Sequence, residues 1–172
     1  MKLKFSLVLG SAVILLAGCV TTNHELVLET VGPGPDAVRR AKATEGTLVV
    51  YSAYEANADF NARDPRRPEY SAFWIYSADG RLHRQVQNNS GTILQRPQGV
   101  SLPVGGYRVV AQANGYGSVT VPVIIGPGQD TLVHLEGGFR WPDQFSFNQT
   151  NAVRLPDGVI VGWKGAADTN AP

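Results

Sequence analysis

Cysteine is nearly absent from this chain: Cys19 is the only one, so no internal disulfide can staple the fold. Histidine is scarce as well, and His24, His83 and His134 lie too far apart for the close ligand spacing of a metal site. Exposed positions are expected for all three, His134 on the outward face of a strand. No Gly-x-Ser-x-Gly elbow occurs and no catalytic triad can be assigned among the serines. Asp64 with Glu69 or Asp79 could form a carboxylate pair, yet acids of this kind are commonplace in loops. The turn at Gly126, Pro127 and Gly128 joins strands instead of opening a helix, so it is no phosphate cradle. Charge of one sign is missing too: 15 Lys and Arg face 14 Asp and Glu, which gives no field to attract nucleic acid. No long stretch carries the apolar period of an amphipathic helix. A non-catalytic protein without metal or cofactor, and with no nucleic-acid partner, is therefore expected.

Glycine and proline are plentiful, and they punctuate short β-rich runs. The organising stretch is Leu102 to Glu136, which predicts three consecutive antiparallel strands. Tyr107, Val109, Ala111 and Ala113 alternate with Arg108 and Gln112, in the period of two that a half-buried strand requires; Val110 is the exception. After the tight connection Asn114, Gly115, Tyr116, Gly117, the residues Val119, Val121, Val123 and Ile125 take the core side. Ser118, Thr120 and Pro122 take the solvent side. Thr131, Val133 and Leu135 continue the core parity after the next turn. Upstream, Leu48 and Val50 alternate with Val49 and Tyr51, apolar on both faces. Phe73 and Ile75 share one parity and Trp74 and Tyr76 the other. The turn at Ala78, Asp79 and Gly80 then leads into a strand on which Leu82 shares parity with Arg84 and Val86, while Arg81, His83, Gln85 and Gln87 form a wet face. Asn88 to Gly91 reads as a polar turn. Residues 152–163 predict a final hairpin with Trp163 on its second strand.

The chain has the length of one domain. Its first residues carry Lys2 and Lys4, then an apolar run from Phe5 to Gly18 that is too short to span a bilayer comfortably. This is the form of a secretory leader, set aside from fold reasoning as residues 1–18. Without its two lysines, 13 basic residues face 14 acidic ones. The ending Leu16, Ala17, Gly18, Cys19 resembles the bacterial lipobox. That resemblance implies diacylglycerol on Cys19, cleavage before it and acylation of the new amino terminus. With Val20 instead of aspartate after the cysteine, it also implies the outer membrane of the cell envelope. Two or more acyl chains make membrane residence stable, at about 0.8 kcal/mol per buried methylene. Residues 19–45, with Gly32, Pro33, Gly34 and Pro35, read mainly as a tether; Leu26, Val27 and Leu28 leave open a short edge strand.

The run LPVGGYRVVAQANGYGSVTVPVIIGPGQDTLVHLE resembles the carboxypeptidase regulatory-like domain and its transthyretin-like and Cna B-type relatives. Those domains carry a hairpin of the form Leu-Pro-x-Gly-x-Tyr, a later Gly-Tyr, and a final Thr-x-Val-x-Leu strand. Here the matching positions are Leu102 to Gly106, Tyr107, Gly115, Tyr116 and Thr131 to Leu135. The resemblance covers residues 46–136 and implies a prealbumin-like antiparallel β-sandwich of about seven strands, followed by a loop and hairpin extension over 137–172. Such modules assist folding, bind partners or act as spacers, so the fold alone assigns no activity. The chain departs from its relatives in two respects. No metallopeptidase domain is expected beside the module, and no Lys, Asn and acid set of the isopeptide-forming kind is expected in it, since Lys42 and Lys164 lie outside the expected core.

Two groups of residues are candidates for binding. Trp74, Tyr76, Tyr116, Trp141 and Trp163 are flat and apolar, able to stack on sugar rings or anchor a protein partner. The competing reading places Trp74 and Tyr76 in the core, beneath the segment 137–151 or the tail hairpin. The stretch from Ala56 to Glu69 holds Asp64, Arg66 and Arg67, and long insertions of this type often carry binding. Asn88 and Asn148 begin glycosylation sequons, which the bacterial leader argues against using. The sequence thus points to a lipid-anchored envelope module that binds or positions a protein or glycan, with carbohydrate binding through surface aromatics as the alternative.

Overall fold

A computed structural model describes residues 25–34, 44–55, 69–88, 96–138 and 150–164. Among them the fold is all-β, without a helix, and no sheet closes into a barrel. The strands are Leu26–Val27 (β1), Glu45–Tyr51 (β2), Tyr54–Glu55 (β3), Glu69–Tyr70 (β4), Phe73–Ser77 (β5), Leu82–Val86 (β6), Gly99–Pro103 (β7), Gly105–Ala113 (β8), Gly117–Ile125 (β9), Asp130–His134 (β10), Ala152–Arg154 (β11) and Ile160–Trp163 (β12). Five of them form one sheet in the order β1-β9-β8-β5-β6, and three form a second in the order β10-β2-β7. Two small sheets, β3-β4 and β11-β12, complete the set.

One hydrophobic cluster joins the two larger sheets, fed by a single parity of each strand. Phe73, Ile75, Val109, Ala111, Val119, Val121 and Val123 enter it from the five-stranded sheet, and Leu48, Val50, Val100, Leu102 and Val133 from the three-stranded one. This is the alternation of period two at work, clearest in β2, β5, β7 and β8, where buried side chains recur at every second position. The parity expected for β8 and β9 is therefore observed on the core side, and so is the hairpin between them, paired from Gly105 with Ile125 to Ala113 with Gly117.

The topology differs from a run of three antiparallel strands. β10 does not fold back on β9; it crosses to the other sheet and pairs in parallel with β2, from Asp130 with Thr47 to His134 with Tyr51. The outer edge of β9 is already taken by the N-terminal segment, where β1 pairs in parallel with Leu26 opposite Val119 and Val27 opposite Thr120. Residues 25–34 are thus bound to the fold over a stretch read mainly as tether. The edge strand left open by Leu26, Val27 and Leu28 is present, and Leu28 and Val31 are buried in the common core.

This N-terminal segment also holds the tail hairpin. Gly32 donates its amide to the Trp163 carbonyl at 2.9 Å, Lys164 pairs with Glu29 at 2.8 Å, and Val153, Leu155 and Val161 join the core. The approach is so close that a Cβ on Gly162 would lie 2.6 Å from a Val31 methyl. Hence the core extends past residue 136 into the hairpin expected as an extension.

Three local expectations change. Thr120, on the solvent parity of β9, is only 5% exposed because β1 and Glu25 cover it, and its hydroxyl is hydrogen-bonded to the Glu25 carboxylate. Leu82 does not share the parity of Val86: a register shift between Ile75 and Tyr76 sets Leu82 opposite Tyr76, where it is 57% exposed. Asn88 is buried instead of turning in solvent. Its Nδ2 donates to the Val50 carbonyl at 2.7 Å and to Ser52 Oγ at 2.9 Å, while its Oδ1 accepts from the Gln98 amide at 2.9 Å.

Candidate functional site

The outer face of the five-stranded sheet carries the expected aromatic pair. Cross-strand register aligns Val27, Thr120, Val110, Trp74 and Gln85 in one row, and Pro122, Arg108, Tyr76 and Leu82 in the next. Residues directly opposite on neighbouring strands point to the same face, so both rows lie away from the core. Trp74 and Tyr76 are half-buried, neither sealed in the core nor fully open. The sequence placed them together correctly, on the parity opposite Phe73 and Ile75, both of which are fully buried.

A surface cleft of about 370 Å³ opens beside them, lined by Glu25, Val27, Tyr76, Gly80, Arg108, Val110 and Thr120. Its lining combines the apolar Val27 and Val110 with the Tyr76 phenol and the opposite charges of Glu25 and Arg108. Glu25 is fixed by its bond to Thr120. Arg108 passes close to the β5-β6 turn, where a Cβ on Gly80 would come 3.0 Å from a guanidinium nitrogen. Gly80 also has φ of 86°, a backbone region that favours glycine, so the same residue closes the turn and clears the arginine. The turn is braced by Asp79, whose Oδ1 accepts from Ser77 Oγ at 2.6 Å and from the Arg81 amide at 3.2 Å. The Ser77 hydroxyl, followed by the Arg81 amide, lowers the Asp79 pKa. A cleft of this size and composition can hold a small polar ring or headgroup against Tyr76, with Arg108 matching a negative group.

Tyr116 lies elsewhere, 38% exposed in the β8-β9 turn, and lines no part of this cleft. Trp163 borders a smaller cavity of about 170 Å³ with Val31, Gly32, Pro33, Gln129, Asp130, Thr131 and Leu132. Cys19, Asp64, Arg66, Arg67 and Trp141 lie outside the described residues.

A second polar group was missed from the sequence. His134 does point away from the core, as its parity required, but it is 1% exposed. Tyr51 stacks on its ring at 4.1 Å between centroids and 12° between planes, and Nδ1 lies 2.7 Å from Glu136 Oε1. Tyr70 packs edge-on against both Tyr51 and Tyr54. The overlooked signal is the set of tyrosines: Tyr51 shares register with His134 across β2 and β10, and a face rich in tyrosine covers a neighbouring imidazole. Ser71 Oγ is buried without a hydrogen-bond partner, so it forms no nucleophile–base pair with this histidine. Among the described residues, no three His, Cys, Asp or Glu side chains converge as a metal-binding group.

Burial, with the Glu136 charge adding to it, pushes the Tyr70 phenol up to about 12 from its ordinary 10.0. A raised pKa in the folded state contributes stability that is complete below the unfolded value and is lost as pH rises through the folded one. The thermal midpoint should therefore fall between pH 10 and 12. The Tyr70→Phe variant should fall less steeply over the same window, and parallel curves for the two proteins would contradict this assignment.

No family model matches the chain, and no curated protein or solved structure is significantly similar to it.

Proposed function

We propose that this protein is a lipid-anchored, non-catalytic module of the bacterial cell envelope that binds or positions another envelope component through the outer face of its five-stranded sheet. The observation that carries the reading is that half-buried Trp74 and Tyr76 share that face with exposed Arg108 beside an open cleft. Aromatic rings give large contact area at low ordering cost, and a guanidinium adds a directional charge. The anchor rests on the leader and on Leu16, Ala17, Gly18 and Cys19, whose resemblance to the lipobox supports residence in the outer membrane. For the fold, the proposal is a prealbumin-like sandwich of the carboxypeptidase regulatory-like kind. Support comes from the β8-β9 hairpin and from the core shared by the two sheets.

The anchor is tested by Cys19→Ser exported behind a leader that ordinary signal peptidase removes. The variant is expected to fold normally and to move from the membrane to the soluble fraction. Unchanged partition into the membrane would remove the lipoprotein reading. Carbohydrate binding is the second reading, favoured by the juxtaposition of Tyr76 with Glu25 and Arg108 in one cleft. A glycan array probed with the same soluble variant, with and without Tyr76→Ala, separates the two. Signal lost with Tyr76→Ala assigns the cleft to sugar, whereas a blank array favours another envelope component.

A further inference from the structure

Glu25 and β1 fix where the chain joins the fold. The Glu25 carboxylate bonds to the Thr120 hydroxyl, and Thr120 belongs to the row that faces away from the core. The Glu25 side chain therefore lies on the outer face of the five-stranded sheet, at its β1 edge. Only residues 20–24 separate that point from Cys19. Six Cα steps at about 3.5 Å each give a reach of at most roughly 21 Å. Across the five strands, four gaps of about 4.8 Å make the sheet roughly 19 Å wide. The anchor therefore lies within about 21 Å of the β1 edge of this sheet, a distance close to the width of the sheet.

The same face carries the surface chemistry suited to a membrane boundary. Val27 and Leu82 are the most exposed large apolar side chains among the described residues, at 61% and 57%, and they stand at its two edges. Trp74 and Tyr76 lie between them, residue types that gather at the membrane–water interface because one end of each ring is apolar and the other polar. Arg108 has no carboxylate partner among the described residues and can meet a phosphate. Each contact alone is weak, but a short tether holds the module near the bilayer at an effective concentration on the order of millimolar, and the face with the interfacial side chains is the one favoured there.

We propose that the outer face of the five-stranded sheet lies against the anionic lipid headgroup layer of the membrane that holds Cys19, with Arg108 on lipid phosphate and Val27, Trp74, Tyr76 and Leu82 at the interface. This rests on the lipid-anchor reading above and identifies the bound envelope component as the headgroup layer itself. The opposite sheet then faces away from the bilayer.

The test uses the full acylated chain in vesicles of phosphatidylcholine and phosphatidylglycerol containing a lipid spin-labelled at its headgroup. Cys19 is acylated, so a second cysteine is the only free thiol for a bimane label. Leu82→Cys reports the proposed face, and Ser101→Cys reports the outer face of the three-stranded sheet; both positions are exposed. Several-fold stronger quenching at position 82 than at 101 is the expected result. Equal quenching, or stronger quenching at 101, would overturn the orientation. Gln85→Cys, also exposed on the proposed face, repeats the measurement so that a folding defect in one variant does not decide it. The mass of the N-terminal peptide is recorded on the same samples. An unacylated peptide overturns the anchor and the orientation together, while an acylated one with equal quenching overturns the orientation alone.

Discussion

Val121→Asp is expected to abolish folding, whereas Ser118→Asp on the same strand is expected to leave it intact. Val121 is fully buried, opposite Val109 in the hairpin that feeds the shared core. An unpaired carboxylate placed there costs several kcal/mol, against a whole-domain stability of about 5–15 kcal/mol. Ser118 lies three residues earlier on the solvent parity and is exposed, so a charge there stays hydrated. Thr120 shares that parity but is an unsuitable control: the Glu25 carboxylate already occupies its hydroxyl, and an aspartate would meet it as a like charge. Circular dichroism and urea unfolding check the pair. Equal destabilisation by the two aspartates would contradict the strand register.

A second large loss of stability is expected for Asn88→Ala. This amide bonds the Val50 carbonyl of β2, the Ser52 hydroxyl and the Gln98 amide just before β7, joining three separated stretches of chain from a buried position. Ser52 in turn donates to the Ser71 carbonyl at 2.6 Å, which extends the link towards β4 and β5. Truncation leaves buried donors and acceptors without partners, for an expected loss of about 2–4 kcal/mol. Asn88→Asp should be nearly as damaging, because the carboxylate cannot donate to Val50. An urea midpoint unchanged in both variants would show that these bonds contribute nothing.

Strand parity was legible in the sequence because a period of two is a local property. Val109 to Ala113, Val119 to Ile125, and Phe73 with Ile75 all fall on the side their neighbours dictate. What covers the other face depends on partners far away in sequence, and there the reading failed. Thr120 is shielded by Glu25, 95 residues away. His134 is buried by Tyr51 and Glu136 although its parity was read correctly. The crossover of β10 was hidden in the same way: the Gly126, Pro127, Gly128 turn looks like a hairpin turn, but the β9 edge is occupied by β1 and β10 pairs with β2, pairings that no local pattern encodes. Asn88 resembled any turn asparagine because its three bonds reach residues 10, 36 and 38 positions away, outside any turn. At the candidate site, Trp74 and Tyr76 could be grouped from β5 alone. Arg108, Glu25 and Gly80 joined them only through the register of three other elements.

The proposed anchor at Cys19 is read out by the intact mass of the protein extracted from membranes. The expected mass is that of a chain that begins at Cys19 and carries diacylglycerol with a further acyl group on its amino terminus. A mass equal to the uncleaved chain, or to a chain trimmed elsewhere without lipid, would contradict it.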